Sequence, residues 1–364
     1  MRGGGIRLRG AAIGVPAGRE AIMDPSYTYL SDADWAARRA ALEGLARRCA
    51  LCPRGCGVDR TAGERGFCGA PGGLVISSLF PHHGEEPPIS GRGGSGTVFF
   101  THCTLKCVFC QNWQLSHAGE GRLYRPEELA RKLLQLQARG CHNVNLVTAT
   151  HFLPWILPAL QRAADQGLRL PVVYNCGGYE REEVIDLLAG IVDVWLPDMK
   201  YGDDRAAARY SRAPDYVAVN RAAVRRMFRQ VGPLRCDAEG IARRGLILRH
   251  LVLPGDAAAS RAVLSFLAAT FDPEDLTVSW MAQYRPLYRA ADHPEIARRL
   301  EPGEYAASRR EFLEAGFSGF LQDVQRLDDA FVIDFTTRKE EALTGEPAPA
   351  PPPSLPAAGE RRSA

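Results

Sequence analysis

Ten cysteines occur in 364 residues, and seven of them crowd into two short stretches. The segment "THCTLKCVFCQNW" carries Cys103, Cys107 and Cys110 in the spacing C-x3-C-x2-C. Upstream, "CALCPRGCGVDRTAGERGFCG" carries Cys49, Cys52, Cys56 and Cys68 in the spacing C-x2-C-x3-C-x11-C. Without an apolar secretory segment in the basic leader, and in a chain this long, such clusters point to metal or redox chemistry rather than to a disulfide framework. Four thiolates close a complete shell around structural zinc or ligate an iron–sulfur cluster, and spacing does not choose between them. Three thiolates holding a cubane leave one iron without a protein ligand, open to a substrate or cofactor. The rival for the trio is a zinc loop completed by His102 or His117.

The elements that must position these groups follow from periodicity. The short apolar runs "TVFFT", "NVNLVT", "PVVYN", "VDVWLPD", "LILRHLVLPG" and "LTVSWMAQY" alternate with amphipathic segments such as "RPEELARKLLQLQARG" and "VNRAAVRRMFRQVG". Six strand–helix alternations predict an α/β fold, a partial (β/α)6 TIM-type barrel on a parallel sheet, with an N-terminal Cys-rich module. In that architecture chemistry gathers where strands end, and the three-cysteine loop directly follows the first run. The chain divides into a leader and helix over 1–45, with Ser31 or Asp32 capping a helix that runs to Arg48. A Cys-rich module and linker of low periodicity spans 46–95, the core barrel 96–290, a helical extension 291–338 with the run "FVIDF", and a disordered Pro/Ala-rich tail 339–364. Met23 is an alternative start.

With an aromatic, Phe109, before its last cysteine, the C-x3-C-x2-C loop resembles the signature of the radical S-adenosylmethionine (SAM) superfamily. The resemblance covers roughly residues 49 to 300. It is strongest to the branch of pyruvate formate-lyase activating enzymes, and within it to a PflX-like group of bacteria and archaea, on "FPHHGEEPPISG", "CQNWQLSH", "NLVTATHFLP", "YNCGGYE", "LPDMKY" and "RHLVLPG". It implies a [4Fe-4S] cluster on Cys103, Cys107 and Cys110. The open iron of that cluster chelates S-adenosyl-L-methionine and yields a 5′-deoxyadenosyl radical, which takes a hydrogen atom from a substrate, in activating enzymes a protein glycyl residue. It further implies cofactor contacts from Phe109, from Asn175 beside Cys176 and two glycines, from Asp198 and Lys200 in an Asp-x-Lys motif, and from Arg249. Where the superfamily usually has a Gly-Gly-Glu type segment for the cofactor's amino group, this chain departs with Thr148, Ala149, Thr150 and His151, whose backbone carbonyls and threonine hydroxyls can still accept from an ammonium. Where activating enzymes carry a histidine near the adenine, this chain has Gln283, Tyr284 and Arg285. Lys200 is expected to pair with the cofactor carboxylate, and Asp198 to fix Lys200 or to bind ribose or a monovalent cation. His250, Cys141 and Cys236 read as core residues.

The remaining composition narrows the function. The formal net charge is +3 with 24% charged residues, mixed along the chain, so neither a nucleic-acid stripe nor a membrane surface stands out. No run of about 18 apolar residues occurs, which makes the cytoplasm the expected location. The expected partners are a protein or small-molecule substrate and an electron donor such as flavodoxin or ferredoxin. Two other functions remain open on sequence: radical modification of a nucleic-acid base or small metabolite, and a non-catalytic iron–sulfur or zinc scaffold or electron carrier.

Overall fold

The structure, a computed structural model, describes residues 24 to 324. The leader with Met23, the run "FVIDF" and the Pro/Ala-rich tail lie outside the described residues. The first helix, α1 (Asp32–Arg47), starts at a capping box in which Ser31 and Asp34 satisfy each other's backbone amides. After the Cys-rich turns comes β1 (Leu74–His82), then α2 (Pro87–Ser90), β2 (Ser95–Phe100), α3 (Trp113–Ser116) and β3 (Arg122–Tyr124). Alternation then sets in: α4 (Pro126–Ala138), β4 (Val144–Val147), α5 (Leu153–Asp165), β5 (Val172–Cys176), α6 (Glu182–Leu187) and β6 (Val194–Pro197). The chain continues through α7 (Asp204–Ser211), α8 (Tyr216–Val231), β7 (Arg235–Cys236), β8 (Ala242–Leu251), α9 (Ser260–Thr270), β9 (Thr277–Met281), α10 (Pro302–Glu314) and β10 (Ser318–Leu321).

The sheet runs β10-β9-β8-β6-β5-β4-β2-β1-β3, with β7 paired to β8 off this path. From β2 to β10 every neighbouring pair on that path is parallel, and β1 is antiparallel to both β2 and β3. The six apolar runs of the sequence are thus β2, β4, β5, β6, β8 and β9, and the sheet ends β3 and β10 do not pair, leaving a partial barrel. Two features differ from the expectation. The sheet already begins at Leu74, inside the stretch read as a low-periodicity linker, because β1 is largely buried on both faces and shows no alternation. The end of the helical extension, "SGFL", is a further parallel strand beside β9.

Strand residues divide by the pleat. Leu146, Tyr174, Trp195, Leu246, Leu248, Val278 and Trp280 pack with the helices into the main core. Their neighbours Val173, Val194, Leu196 and Ile247 face the barrel interior, where Ile89 of the short α2 packs against them and closes its lower end. Full burial of one such isoleucine contributes about 1.5–3 kcal/mol. Further along the same inward face, Phe99, Val147, Asn175, Arg249, Leu251 and Met281 bound a cavity at the C-terminal strand ends. Among the described residues no helix is long and apolar enough to cross a membrane.

Candidate active site

The cavity measures about 250 Å³, and Cys103, Cys107, Cys110, Phe109, Thr148, Asn175, Lys200 and Arg249 all line it. Each of the three sulfurs has a hydrogen-bond donor. The Leu105 N–H donates to Cys103 Sγ (3.3 Å), the Ser211 hydroxyl to Cys107 Sγ (2.9 Å) and the Ser116 hydroxyl to Cys110 Sγ (3.1 Å). Burial, reinforced by the neighbouring cysteines, pushes the Cys103 thiol up to about 12 and Cys110 up to about 11. Such thiols ionise only against a strong local cation, and donors aimed at the sulfurs stabilise the thiolate form. The loop departs from easy backbone geometry at His102, where φ is +62°, and the turn after the neighbouring strand β4 does so at Thr148, where φ is +59°. Non-glycine residues held there are costly and cluster at functional sites.

Lys200, Asp198 and Arg249 form one ion-paired unit. Asp198 accepts from Lys200 Nζ through one carboxylate oxygen and from Arg249 Nε (2.8 Å) through the other. Arg249 spends its remaining nitrogens on Asn175 Oδ1 (2.6 Å) and Glu85 Oε2 (3.4 Å). Burial would push the Asp198 carboxyl up, but Arg249 and Lys200 outweigh it and hold it below the usual range. Burial likewise works against the Lys200 ammonium, and Asp198 and then Cys107 reverse the sign and keep it charged. Asn145 and Asn175 both donate to Glu85 Oε1 at 3.1 Å, so Glu85 accepts from three side chains.

Several residues fall elsewhere than expected. Thr150 does not line the cavity; its hydroxyl donates to Glu180 (2.8 Å) and accepts from Tyr174, because the turn after β4 directs it into the core. Asp198 is also off the cavity wall, so of the roles open to it the geometry matches fixing Lys200. Gly178 (φ +69°) abuts protein rather than a ligand: a Cβ there would lie 2.1 Å from the Asp198 carbonyl oxygen. Cys176 is buried in the main core with Cys141, and Cys236 is half-buried on β7. His250 is fully buried between Met199 O and Ser260 Oγ, with its ring on Trp280.

Sequence reasoning missed the residues that hold the strand ends. Tyr216 and Asn220, one turn apart on α8, clamp the turns after β5 and β6. The Tyr216 hydroxyl accepts the Lys200 amide (2.9 Å) and donates to Gly177 O (2.8 Å), while Asn220 Nδ2 donates to Gly178 O and Asp198 O. A polar Asn on the buried face with Ala223, Val224 and Met227 was the available signal. Glu85, Ser116 and Ser211 carried none.

The N-terminal cysteines lie between α1 and β1. Cys49, Cys52 and Cys68 are buried and Cys56 is half-buried, all as free thiols. Among the described residues no three His, Cys, Asp or Glu side chains converge as ligands of a single ion, in this group or in the trio.

Residues 97–231 match the Radical SAM superfamily family model. An uncharacterized protein of Methanocaldococcus jannaschii is 32% identical over 266 residues, covering 71% of this chain and 72% of that protein. Among solved structures, HydG, a maturase of the [FeFe]-hydrogenase, superposes with a TM-score of 0.41 at 13% identity over 60% of this chain, which spans about half (49%) of that chain. A radical SAM methyltransferase from Sphaerobacter thermophilus gives a TM-score of 0.39 at 12% identity, over 63% of this chain and 67% of that one. The chain belongs to the radical SAM superfamily.

Proposed function

We propose that the protein is an activating-enzyme-like radical SAM enzyme of the PflX-like branch that removes a hydrogen atom from a polypeptide substrate, a glycyl residue being the expected target. The observation that carries the reading is the cavity itself, in which three donor-supported thiols and the ion-paired Lys200 and Arg249 line one space. The superfamily implies a [4Fe-4S] cluster and SAM, and the donor set fits: three sulfurs on one cavity wall, each accepting a hydrogen bond. When bound, the two groups supply a 5′-deoxyadenosyl radical.

The chain's own residues divide the remaining work. Cys103, Cys107 and Cys110 hold the cluster, and Lys200 and Arg249 present positive charge to the cofactor carboxylate. Thr148 offers its hydroxyl and backbone carbonyl to the cofactor's ammonium. Asn175, engaged at both ends of its amide, orients Arg249 rather than the cofactor. Phe99, Phe109, Leu115 and Met281 give the cavity apolar walls that exclude water and stray hydrogen donors. Beside the cysteine loop, Trp113 stacks on Tyr288, which is 40% exposed, and His117 lies against the same ring and meets Cys107 O. An exposed aromatic platform beside the cysteine loop favours a polypeptide over a small metabolite.

Anaerobic incubation with dithionite and SAM is expected to give 5′-deoxyadenosine, and Cys103→Ala to abolish it. Undiminished product from that variant would sink the site assignment. Deuterium reaching 5′-deoxyadenosine from a labelled protein fraction supports the polypeptide reading, and deuterium arriving only from the small-molecule fraction overturns it.

A further inference from the structure

Two of the four upstream sulfurs, like Cys103 Sγ of the trio, are approached by N–H donors. Cys56 Sγ accepts from the Phe67 N–H at 3.2 Å, and Cys68 Sγ is approached by Arg60 Nη1 at 3.8 Å. Sulfurs approached by N–H donors suit thiolates; a neutral thiol is a weak acceptor that needs none of this.

Arg60 supplies an independent observation. Its side chain is 0% exposed, its Nη2 reaches only the carbonyls of Pro71 and His151, and its Nε has no acceptor. Among the described residues no carboxylate pairs with it, and the Trp155 ring 5.6 Å away is a weak substitute. A guanidinium stays charged, and burying it without an anion costs several kcal/mol. Four neutral thiols provide no anion, whereas four metal-bound thiolates do.

The kind of metal follows from the spread of the sulfurs. Tetrahedral zinc, at about 2.3 Å from every sulfur, needs the four to converge on one point. They do not, and neither do the trio's, whose group in this superfamily is a cubane that places each sulfur on a different iron. Cations tie the two groups together. Lys106, inside the trio's loop, donates to Cys68 O (3.2 Å) and Ser116 O (3.3 Å), and Arg54 donates to Thr104 O (3.0 Å) and to the carbonyls of Ser211 and Arg212.

We infer that Cys49, Cys52, Cys56 and Cys68 hold a second [4Fe-4S] cluster, fully ligated by the protein and adjacent to the first. With no open iron it binds no substrate and serves electron transfer. The test is iron, sulfide and zinc quantification after anaerobic reconstitution of the full chain, in wild type and in the triple variant C103A/C107A/C110A. The triple variant is expected to keep about half of the wild-type iron, with matching sulfide and visible absorbance. A triple variant stripped of iron, or one with stoichiometric zinc in its place, overturns the inference while leaving the trio's assignment intact. In the complementary arm, C49A/C52A should lose that same half; where it does not fold, the wild-type iron content decides, two clusters per chain supporting the inference and one refuting it.

Discussion

Replacing Asp198 by Asn tests whether the ion-paired unit is a structural necessity. The substitution keeps the shape but removes the charge shared by Lys200 Nζ and Arg249 Nε, whose side chains are 24% and 14% exposed. Arg249 keeps Asn175 and the longer contact to Glu85, while Lys200 has no other carboxylate among the described residues within pairing distance. Breaking a buried pair from one side costs about 3–5 kcal/mol, because the partner charge stays buried and unpaired. At roughly 2 °C per kcal/mol for a chain of this size, the melting temperature should fall by about 6–10 °C. Differential scanning fluorimetry at neutral pH measures it, with Glu311→Gln as the control. That change breaks the exposed pair to Arg261, which is 76% exposed, and should leave the melting temperature near that of wild type. Equal melting temperatures for Asp198→Asn and wild type would refute the reasoning. The folded Asp198 pKa lies below its unfolded value, so its stabilisation is full above about pH 4 and disappears only on further acidification. The neutral-pH measurement therefore captures all of it.

Tyr216→Phe leaves the Lys200 amide and Gly177 carbonyl without their hydroxyl partner, and should cost about 1–3 kcal/mol in urea denaturation; an unchanged midpoint would show that the clamp is dispensable. Arg249→Lys keeps the charge but cannot reach Asp198, Asn175 and Glu85 at once, so it should be destabilised by well over 1 kcal/mol, and wild-type stability would contradict the three-way fork. Burial pushes the Glu180 carboxyl up to about 8, against the Thr150 hydroxyl that favours its charged form. A folded pKa raised above the unfolded value stabilises fully below about pH 4.5 and loses that contribution as pH climbs through about 8. Glu180→Gln cannot titrate and should gain on wild type by on the order of 1 kcal/mol per pH unit between about pH 5 and pH 8, whereas parallel stability curves would show that Glu180 is already charged in the fold.

The parallel strands were legible because each is a short apolar run followed by an amphipathic helix, and the pleat fixes which residues face inward. The strand β1 was not, since a strand buried on both faces has no alternation and sits among Gly- and Pro-rich neighbours. The cysteine trio and the residues Lys200 and Arg249 were legible as unusual side chains at strand ends. Thr150 was misplaced because one residue of turn geometry decides whether a hydroxyl faces the cavity or Glu180, and no composition signal encodes that. Glu85 reaches the interior from the opposite end of the barrel, so its meeting with Asn145, Asn175 and Arg249 depends on the β1–β2 connection, which sequence spacing cannot supply.

That connection also decides the charge of the cavity wall. Lys200 and Arg249 are balanced by Asp198 behind them and Glu85 beside them. The adjacent Glu86 would tip the sum, but burial pushes its carboxyl up more than Arg249 draws it down, and the nearby Glu85 charge adds to the rise, so it moves toward the neutral form. Two cations against two carboxylates leave the wall close to neutral while keeping positive and negative groups on separate, fixed atoms. A wall of that kind discriminates against a simple anion, which would meet Glu85 as readily as Lys200, and favours a zwitterion whose carboxylate and ammonium lie a few bonds apart. The amino-acid end of the superfamily's cofactor is such a group, and Arg249 suits its place because only a planar fork can hold three partners while presenting one face to the cavity.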